Sequence, residues 1–454
     1  MATLKQKRKR NLVLLLVVLV AVVGIYIGAS VFKAKKEESA KGIILARIAP
    51  EDIEQITYRR TGEDPVELKK EQDVWVNKNT PDAVLEQKKV TEILNGLTEV
   101  IAKKKVEDAD ISQFGLADPR LVLEVTLKKG KTVRINYGDE NPADLGCYGT
   151  FGDDDTLYLM DKGLYESVNR SPGQLTTVET LPQFDEDNVT ALSWHQKGDI
   201  VLELEKNDSA DQLFNMWSIE APYAGTVYAD TLKLGLFFGR LNKIVFSECV
   251  AYDCKDFSKY GFDDPELVLT LDYMENGEKK SFTIEFGGED ENHYYYVKTS
   301  LSNNVNTFND TDASAFLKMD PYTYVSKALY GGNLAGVSGY RLDYNGKTYD
   351  LKAEIKDDDE ADYYLNGKKI SLEKFDSVRN QVLNLKIDSE MKKKVEDEDP
   401  ILHITIVLDG GAQMNWSFLP YDDHSFYTLE IDGNRSFVVT KKSIDSIIKA
   451  LQEL

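Results

Sequence analysis

The sequence predicts an α+β fold, with a single N-terminal transmembrane helix followed by three tandem related modules of antiparallel sheet plus helices. Three observations support this fold class. An uncharged apolar run lies near the N-terminus, one fourteen-residue phrase occurs twice, and strands with alternating polar and apolar residues surround single amphipathic helices. Strands clustered around single helices in this way favour an α+β fold over a doubly wound parallel sheet.

The first predicted element is a transmembrane signal-anchor helix at residues 12–32. Five basic residues precede it, and the segment 11–32 carries no charge. As a helix, residues 12–32 would rise roughly 31 Å, which matches the hydrocarbon thickness of a bilayer. A cleaved signal peptide is the alternative, because Gly28–Ser30 supplies small residues. The apolar region of a signal peptide is normally only about 7 to 15 residues long, which favours the uncleaved anchor.

The charges on the two flanks predict the orientation of this helix. The five basic residues before it outnumber the three after it, Lys33, Lys35 and Lys36. Since the more positive flank tends to stay in the cytoplasm, we expect a cytoplasmic tail at residues 1–11 and a linker at residues 33–50. The chain is therefore expected to be a single-pass protein of the cell membrane, with its C-terminal bulk extracytoplasmic.

Charge excludes one class of partner for this bulk. After the basic N-terminal segment, the remainder carries 47 basic and 77 acidic side chains, a net charge of −30. Such a surface repels phosphate backbones, so nucleic acid is not an expected partner. The acidic surplus could favour cationic partners or loosely held metal ions, although solubility is the simpler explanation.

A repeated phrase divides the bulk into modules. SQFGLADPRLVLEV at residues 112–125 returns as SKYGFDDPELVLTL at residues 258–271, with seven of fourteen positions identical. In both copies Gly permits a positive φ, and Asp-Pro sets a bend that cannot continue a helix. We interpret the phrase as a structural turn shared by duplicated modules. Its predicted residues are Gly115, Asp118 and Pro119 in the first copy, and Gly261, Asp264 and Pro265 in the second.

A second repeated segment indicates a third, divergent copy of the module. KKKVED at residues 103–108 recurs at residues 392–397. The chain then passes almost directly into Asp399-Pro400, so this copy keeps the strand that follows the turn but lacks the turn itself. The predicted α+β modules span residues 51–180, 181–330 and 331–454.

Each module is expected to contain amphipathic helices between its strands. In the first copy Thr80 is a good N-cap and Pro81 suits the first helical position, ahead of an apolar stripe through Val90, Ile93 and Leu97. In the third copy the corresponding helix is expected to begin at Ser371. Ser443 is predicted to cap the last helix of the chain.

The turn Phe114–Pro119, the strand end INYGDENP at residues 135–142 and the segment TLYLMD at residues 156–161 carry a resemblance. With the predicted anchor, they make the chain similar to the domain-of-unknown-function family 4340. That resemblance implies an N-terminal membrane anchor, a repeated extracytoplasmic domain and genes that often lie beside ABC transporter genes of the gliding-motility type. It therefore implies an accessory role, with ABC transporter subunits as partners. No catalytic residues are established for the family.

The residues themselves indicate no catalytic, cofactor or metal site. Serine-nucleophile and phosphate-cradling motifs are absent, and the acidic clusters lack the spacing of a calcium loop. None of the four histidines has a second His or Cys at ligand spacing. Cys249 and Cys254 could pair in an oxidising compartment. The histidines are His195, His293, His403 and His424.

Three functions remain open at this point. The leading hypothesis is a non-enzymatic, membrane-tethered accessory, scaffold or binding protein associated with an ABC-type transporter. The second is a cell-envelope hydrolase of glycans or peptides that uses paired carboxylates. The third is a solute or ion receptor that feeds the transporter.

Overall fold

A computed structural model describes most of the chain after its N-terminal segment. It covers residues 42–107, 109–143, 145–207, 217–223, 227–331, 336–357, 360–396 and 398–454. These residues form three nine-stranded antiparallel sheets and six α-helices.

The predicted fold class is corrected in one component, its transmembrane helix. Among the described residues, no helix is long and apolar enough to cross a membrane. The longest of these helices have 12 residues. They therefore rise only about 18 Å, against a hydrocarbon thickness of about 30 Å. The predicted span itself, residues 12–32, lies outside the described residues.

The strands follow one another through the three sheets in chain order. The first sheet contains β1 (Ile43–Ala46), β2 (Ile53–Arg60), β3 (Val66–Glu71), β4 (Val74–Asn77), β5 (Val100–Lys105), β6 (Leu121–Leu127), β7 (Thr132–Glu140), β8 (Cys147–Phe151) and β9 (Tyr158–Met160). The second contains β10 (Val189–Gln196), β11 (Asp199–Lys206), β12 (Trp217–Ala221), β13 (Val227–Tyr228), β14 (Glu248–Ala251), β15 (Leu267–Glu275), β16 (Glu278–Glu289), β17 (Tyr294–Thr299) and β18 (Val305–Asn309). The third contains β19 (Val337–Tyr344), β20 (Lys347–Asp357), β21 (Glu360–Leu365), β22 (Lys368–Ile370), β23 (Ser389–Glu390), β24 (Leu402–Leu408), β25 (Gln413–Pro420), β26 (Phe426–Ile431) and β27 (Asn434–Thr440).

Two helices accompany each sheet. They are α1 (Gln87–Thr98) and α2 (Lys162–Val168), α3 (Thr231–Leu241) and α4 (Asp310–Leu317), and α5 (Leu372–Leu383) and α6 (Lys441–Gln452). The sheet orders are β1-β5-β9-β8-β7-β6-β2-β3-β4, β13-β12-β11-β10-β15-β16-β17-β18-β14 and β22-β21-β20-β19-β24-β25-β26-β27-β23. The second and third orders are the same. The first differs only at its edges, where β1 is added beyond β5 and the sheet ends at β4, without a counterpart of β13 and β22 among the described residues. Tandem related modules are thus confirmed.

Helix α1 begins later than the sequence predicts. Thr80 and Pro81 lie in a turn, in which the Ala83 N–H donates to the Thr80 carbonyl. The helix begins at Gln87, whose side chain accepts from the Trp75 N–H and donates to the Trp75 carbonyl. This contact with β4 fixes Gln87 as the first helical residue. The helix therefore does not begin at Thr80 and Pro81, although these residues favour a helix start.

Two other helix starts can be compared with their predictions. The helix expected to begin at Ser371 begins one residue later, at Leu372, and Ser371 is its N-cap, which accepts a hydrogen bond from the Lys374 N–H. Ser443, in contrast, lies inside α6, and Thr440 is the residue before its first turn. The two hydroxyl oxygens of Thr440 and Ser443 are 2.8 Å apart, so Ser443 pairs with the end of β27 instead of capping the helix.

The repeated turn packs tightly against a β-bulge. Gly115 has φ +74° and Gly261 has φ +82°. A Cβ atom added to Gly138 would lie 2.1 Å from the Phe114 carbonyl oxygen, and one added to Gly287 would lie 2.2 Å from the Tyr260 oxygen. The pairing of β7 with β8 shifts register directly after Tyr137, and that of β16 with β17 shifts after Phe286. Turn and bulge therefore form one unit that requires glycine.

The third copy lacks both parts of this unit. β25 and β26 pair without a shift from Trp416 opposite Ile431 to Pro420 opposite Tyr427. Leu419 stands where the other copies have the bulge glycine. A leucine side chain would leave no space for the carbonyl of the turn residue, which lies against glycine in the other copies. A copy with leucine at this position can therefore keep neither the turn nor the bulge.

The described residues divide into two compact units. One is the described part of residues 1–177 with Cys249–Tyr252, and the other comprises residues 178–248 and 253–454. Each unit has its own buried hydrophobic cluster. The predicted module boundaries at residues 51–180, 181–330 and 331–454 stay predictions.

Within the second unit, tyrosines join the second and third sheets. The Tyr223 hydroxyl donates to a Glu390 carboxylate oxygen at 2.6 Å, and the Tyr322 hydroxyl donates to the Asp388 carbonyl at 2.7 Å. Both rings contact Phe437, with centroids 4.8 Å and 6.2 Å away. The Lys327 ammonium donates to the Tyr322 carbonyl at 2.9 Å. Burial lowers the pKa of Lys327 to about 8, although Asp320 and Glu390 oppose this effect.

A glycine substitution tests the docked turn. We expect Gly261→Ala to lower the free energy of unfolding more than Gly277→Ala, as measured by urea denaturation. Both glycines have φ above +80°, so each alanine carries the cost of a left-handed conformation, about 1 to 2 kcal/mol. Only at Gly261 does the added Cβ also meet backbone, at 2.6 Å from the Gly288 nitrogen, whereas Gly277 has nothing within 4 Å. Equal losses would contradict the docking.

Stability between pH 8 and 10.5 tests the burial of Lys327. Because its native pKa is about 8 and its ordinary value is 10.5, the unfolded chain binds more protons in this window. Native stability should therefore rise with pH through the window. We expect Lys327→Met to remove this component of the rise in urea midpoints at pH 7, 8, 9 and 10. Lys318→Met, at an exposed lysine, is the control, and a rise retained in Lys327→Met would contradict the burial.

Candidate functional site

A groove of about 440 Å³ lies beside the second repeat turn. This volume is within the range of small-molecule sites, roughly 300 to 1,000 Å³. Phe257 directly precedes the 3-10 turn Ser258–Tyr260. The other walls come from β16, from β17 and from the loop that leads to β18. The lining residues are Phe257, Thr283, Glu285, Lys298, Thr299, Ser300, Leu301, Ser302 and Asn303.

An ion pair lines this groove. Lys298 Nζ is 3.0 Å from Glu285 Oε1, and the two side chains are only 23% and 24% exposed. The ammonium also lies 4.9 Å from the centroid of the Phe257 ring and 5.2 Å from that of Phe262. Glu285 and Lys298 are register partners in β16 and β17, so they project from the same face of the sheet. The cation is thus held by one carboxylate and two aromatic rings.

Hydroxyl groups and the half-buried carboxylate of Glu179 anchor the loop wall of the groove. Glu179 accepts a hydrogen bond from the Thr299 hydroxyl at 2.6 Å and another from the Ser302 hydroxyl. The Ser300 hydroxyl accepts from the Thr283 N–H at 3.0 Å, which ties the loop to β16. The arrangement holds hydroxyls, the Asn303 amide, one ion pair and an aromatic ring around a single cavity. Such groups bind by hydrogen bonding and stacking.

The other two copies replace this ion pair. In the first sheet the same register positions hold Asn136 and Thr150, whose side chains are joined by a hydrogen bond of 2.9 Å. In the third sheet they hold Ser417 and Glu430. A feature that the shared fold required would be present in all copies. The charged pair between phenyl rings is therefore a property of the second module alone.

The predicted turn residues lie next to this groove in the second copy and on the corresponding surface in the first. The turn aromatics each contact a tyrosine of the neighbouring strand, with Phe114 4.5 Å from Tyr148 and Tyr260 4.9 Å from Tyr296 between ring centroids. Asp118 and Asp264 are exposed, while Pro119 and Pro265 are half-buried. The carbonyl of Pro119 accepts from the Thr61 hydroxyl. A structural role for the six residues stays a prediction.

The histidines and cysteines do not converge on a common site. His195 lies 3.9 Å from Glu203, His293 lies 3.2 Å from Glu289, and His403 contacts the Ser417 hydroxyl at 3.0 Å. Throughout the described ranges, no group of three or more His, Cys, Asp or Glu side chains could hold a metal ion. All three cysteines are buried, and none of them forms a disulfide. Burial raises the pKa of the Cys147 thiol to about 11, which keeps it protonated and unreactive.

A second hollow gathers carboxylates on the second sheet. It has a volume of about 230 Å³ and is lined by residues of β10, β11, β12 and β15. Four of the lining side chains are acidic, and they concentrate negative charge on this face and repel anionic ligands. They are Glu203, Glu205, Glu220 and Asp272.

Sequence reasoning did not find the groove. Glu285 and Lys298 lie on different strands, and Phe257 precedes the repeat phrase, so no local motif joins them. One signal in the sequence could have indicated the groove. Glu285 and Lys298 of the second copy replace Asn136 and Thr150 of the first at equivalent strand positions. The neighbouring tyrosines of β17 do not line the groove either, because Tyr295 faces Phe286 at 6.5 Å and Tyr296 faces Tyr260.

The fold and the groove define a tandem-repeat protein of antiparallel sheets with a groove in one repeat. Residues 75–222 and 217–401 each match the family described as Domain of unknown function (DUF4340). These matches cover more than half of the chain, which therefore belongs to this family. They begin at Trp75 and Trp217, which lie in the equivalent strands β4 and β12. No curated protein and no solved structure matches the chain.

Breaking the ion pair from one side tests its burial. We expect Lys298→Met alone, or Glu285→Gln alone, to lower the free energy of unfolding by about 1 kcal/mol, because the partner charge stays partly buried. The double variant should recover part of this loss, which a double-mutant cycle in urea would measure. Lys279→Met is the matched control, since its pair with Asp272 is 64% and 32% exposed. Additive losses in the cycle would contradict a coupled pair.

Proposed function

We propose that the protein is a non-enzymatic extracytoplasmic accessory protein that binds or scaffolds partners beside an ABC-type transporter. The observation that carries the binding role is the copy-specific groove around Lys298 and Glu285 on an otherwise repeated scaffold. Duplicated modules free one copy to acquire a site while the others keep the fold. The transporter context is supported by the resemblance to the family, and the acidic surface favours solubility outside the membrane.

The chemistry of the groove favours binding over bond cleavage. Glycoside hydrolysis normally uses two carboxylates about 5 to 10 Å apart, one of them free to transfer a proton. Glu285 is the single carboxylate among the nine lining residues, and it pairs with Lys298. No observation at this site therefore supports the hydrolase alternative.

A solute receptor for the transporter is the second candidate, and the groove favours it specifically. Ser300, Ser302 and Asn303 supply hydroxyl and amide groups, and Phe257 supplies a ring face. A small polyhydroxylated molecule such as a sugar uses these two kinds of contact together, hydrogen bonds at its hydroxyls and stacking at its C–H face.

Cross-linking in intact cells tests the accessory role. We expect the tagged full-length chain to recover ABC transporter subunits after cross-linking, because a scaffold must contact the complex it serves. The measurement is mass spectrometry of the purified adducts, relative to an unrelated tagged protein of the same compartment. Recovery of no transporter subunit above this reference would count against the proposal.

Thermal-shift measurements separate the receptor from the scaffold. A receptor should show a raised melting temperature with one class among sugars, short peptides and calcium, and the Glu285→Gln, Lys298→Met double variant should lose this shift. A scaffold should show no shift with any of them. The Lys279→Met variant, outside the groove, should behave as the unmodified chain in both cases.

A further inference from the structure

Helix α3 of the second module presents an apolar stripe to solvent. Leu232 and Leu236 are 72% and 62% exposed, and Val245, just beyond the helix, is 72% exposed. These three are among the five large hydrophobic residues above 60% exposure in the described part of the chain. The opposite face of α3 is buried in the module core, through Leu234, Phe237, Phe238 and Leu241. Three such side chains within one short segment indicate a contact surface, since scattered single residues are the normal case.

The two sides of this stripe carry opposite charges. At about 100° per residue, Lys233 and Arg240 lie on one side of the line through Leu232 and Leu236. Gly235 lies on the other side, and there a Cβ atom would be 2.9 Å from Glu186 Oε1. Lys233 and Arg240 are exposed, and Glu186 is half-buried beside exposed Asp185 and Asp187. These three carboxylates outnumber the one cation beside them, Lys206, whose ammonium donates to the Glu186 and Asp187 carbonyls. The surface is thus basic on one flank, apolar in the centre and acidic on the other flank.

We propose that this α3 surface, formed by Leu232, Leu236, Lys233, Arg240 and Glu186, binds a second copy of the same chain with the two α3 helices parallel. A two-fold axis that runs along the helices places the basic flank of each copy against the acidic flank of the other. Leucines then meet leucines in the centre, as a self-complementary interface requires. An axis across the helices would make them antiparallel and would oppose like charges. This inference is independent of the transporter and of the groove.

Other occupants fit the charges less well. An anionic membrane surface would suit Lys233 and Arg240, but it would be repelled by Glu186 and its two acidic neighbours. An acidic partner protein would meet the same repulsion, and a basic one would be repelled by the opposite flank. A partner must therefore present acidic groups to Lys233 and Arg240 and basic groups to Glu186. A second copy does this by symmetry.

Cysteine cross-linking of the full chain tests the contact and its orientation. In a parallel pair, residue 232 of one copy lies next to residue 232 of the other, so Leu232→Cys should give a disulfide-linked dimer under mild oxidation. In an antiparallel pair the two positions would lie at opposite ends of the contact. The native thiols are buried, so they provide little background. Leu372→Cys, at a 48% exposed leucine of α5, is the matched control and should stay monomeric.

Charge reversal provides the decisive comparison. In the Leu232→Cys background, Lys233→Glu with Arg240→Glu should lower the cross-linking rate about fivefold, and Glu186→Lys alone should also lower it. Combining all three reversals should restore part of the rate, because the lysine at position 186 then faces the glutamates at positions 233 and 240, although Asp185 and Asp187 still repel them. Equal cross-linking at positions 232 and 372, or no restoration in the combined variant, would overturn the proposal. So would binding to vesicles of phosphatidylglycerol and phosphatidylcholine that requires Leu236 and occurs without cross-linking.

Discussion

The contact between a carbonyl oxygen of the repeated turn and a glycine of the facing strand constrains much of this structure. At Tyr260 and Gly287 the separation leaves no space for a Cβ atom. The close approach goes with a register shift between β16 and β17 directly after Phe286. The chain before the turn, with Phe257, and the strand pair that carries Glu285 and Lys298 are both placed by this unit. The position of the groove therefore depends on a contact between two backbone segments, the Tyr260 carbonyl and Gly287.

Duplication explains how this arrangement can vary without loss of the fold. The three sheets share their strand order except at the edges, and their cores are built from the same alternation of buried and exposed positions. The polar face of each sheet is under weaker constraint. There, one pair of register positions holds an amide with a hydroxyl, an ammonium with a carboxylate, or a hydroxyl with a carboxylate. The groove and the α3 surface both lie in the second module, and neither belongs to the features that the three modules share.

The strands and the turn could be predicted because their causes are local. Alternating residues after Pro119 and Pro265 give half-buried strands, and Gly115 and Gly261 adopt the positive φ that the turn needs. Helix starts were less predictable. Thr80 and Pro81 have the local chemistry of a helix start, but the contact between Gln87 and Trp75 moves it. A long-range hydrogen bond of this kind outweighs a capping preference of about 1 kcal/mol.

The sequence by itself determined the number of related modules, the turn that two of them share and its absence in the third, because repeats and turn chemistry are written in neighbouring residues. It also determined the acidic character, which predicts that nucleic acid is not a partner. Only the tertiary structure decided that Glu285, Lys298 and Phe257 surround one cavity, and that Glu186 lies across the α3 stripe from Lys233. Strand register and helix docking bring these residues together, and both are set by packing between segments far apart in the chain.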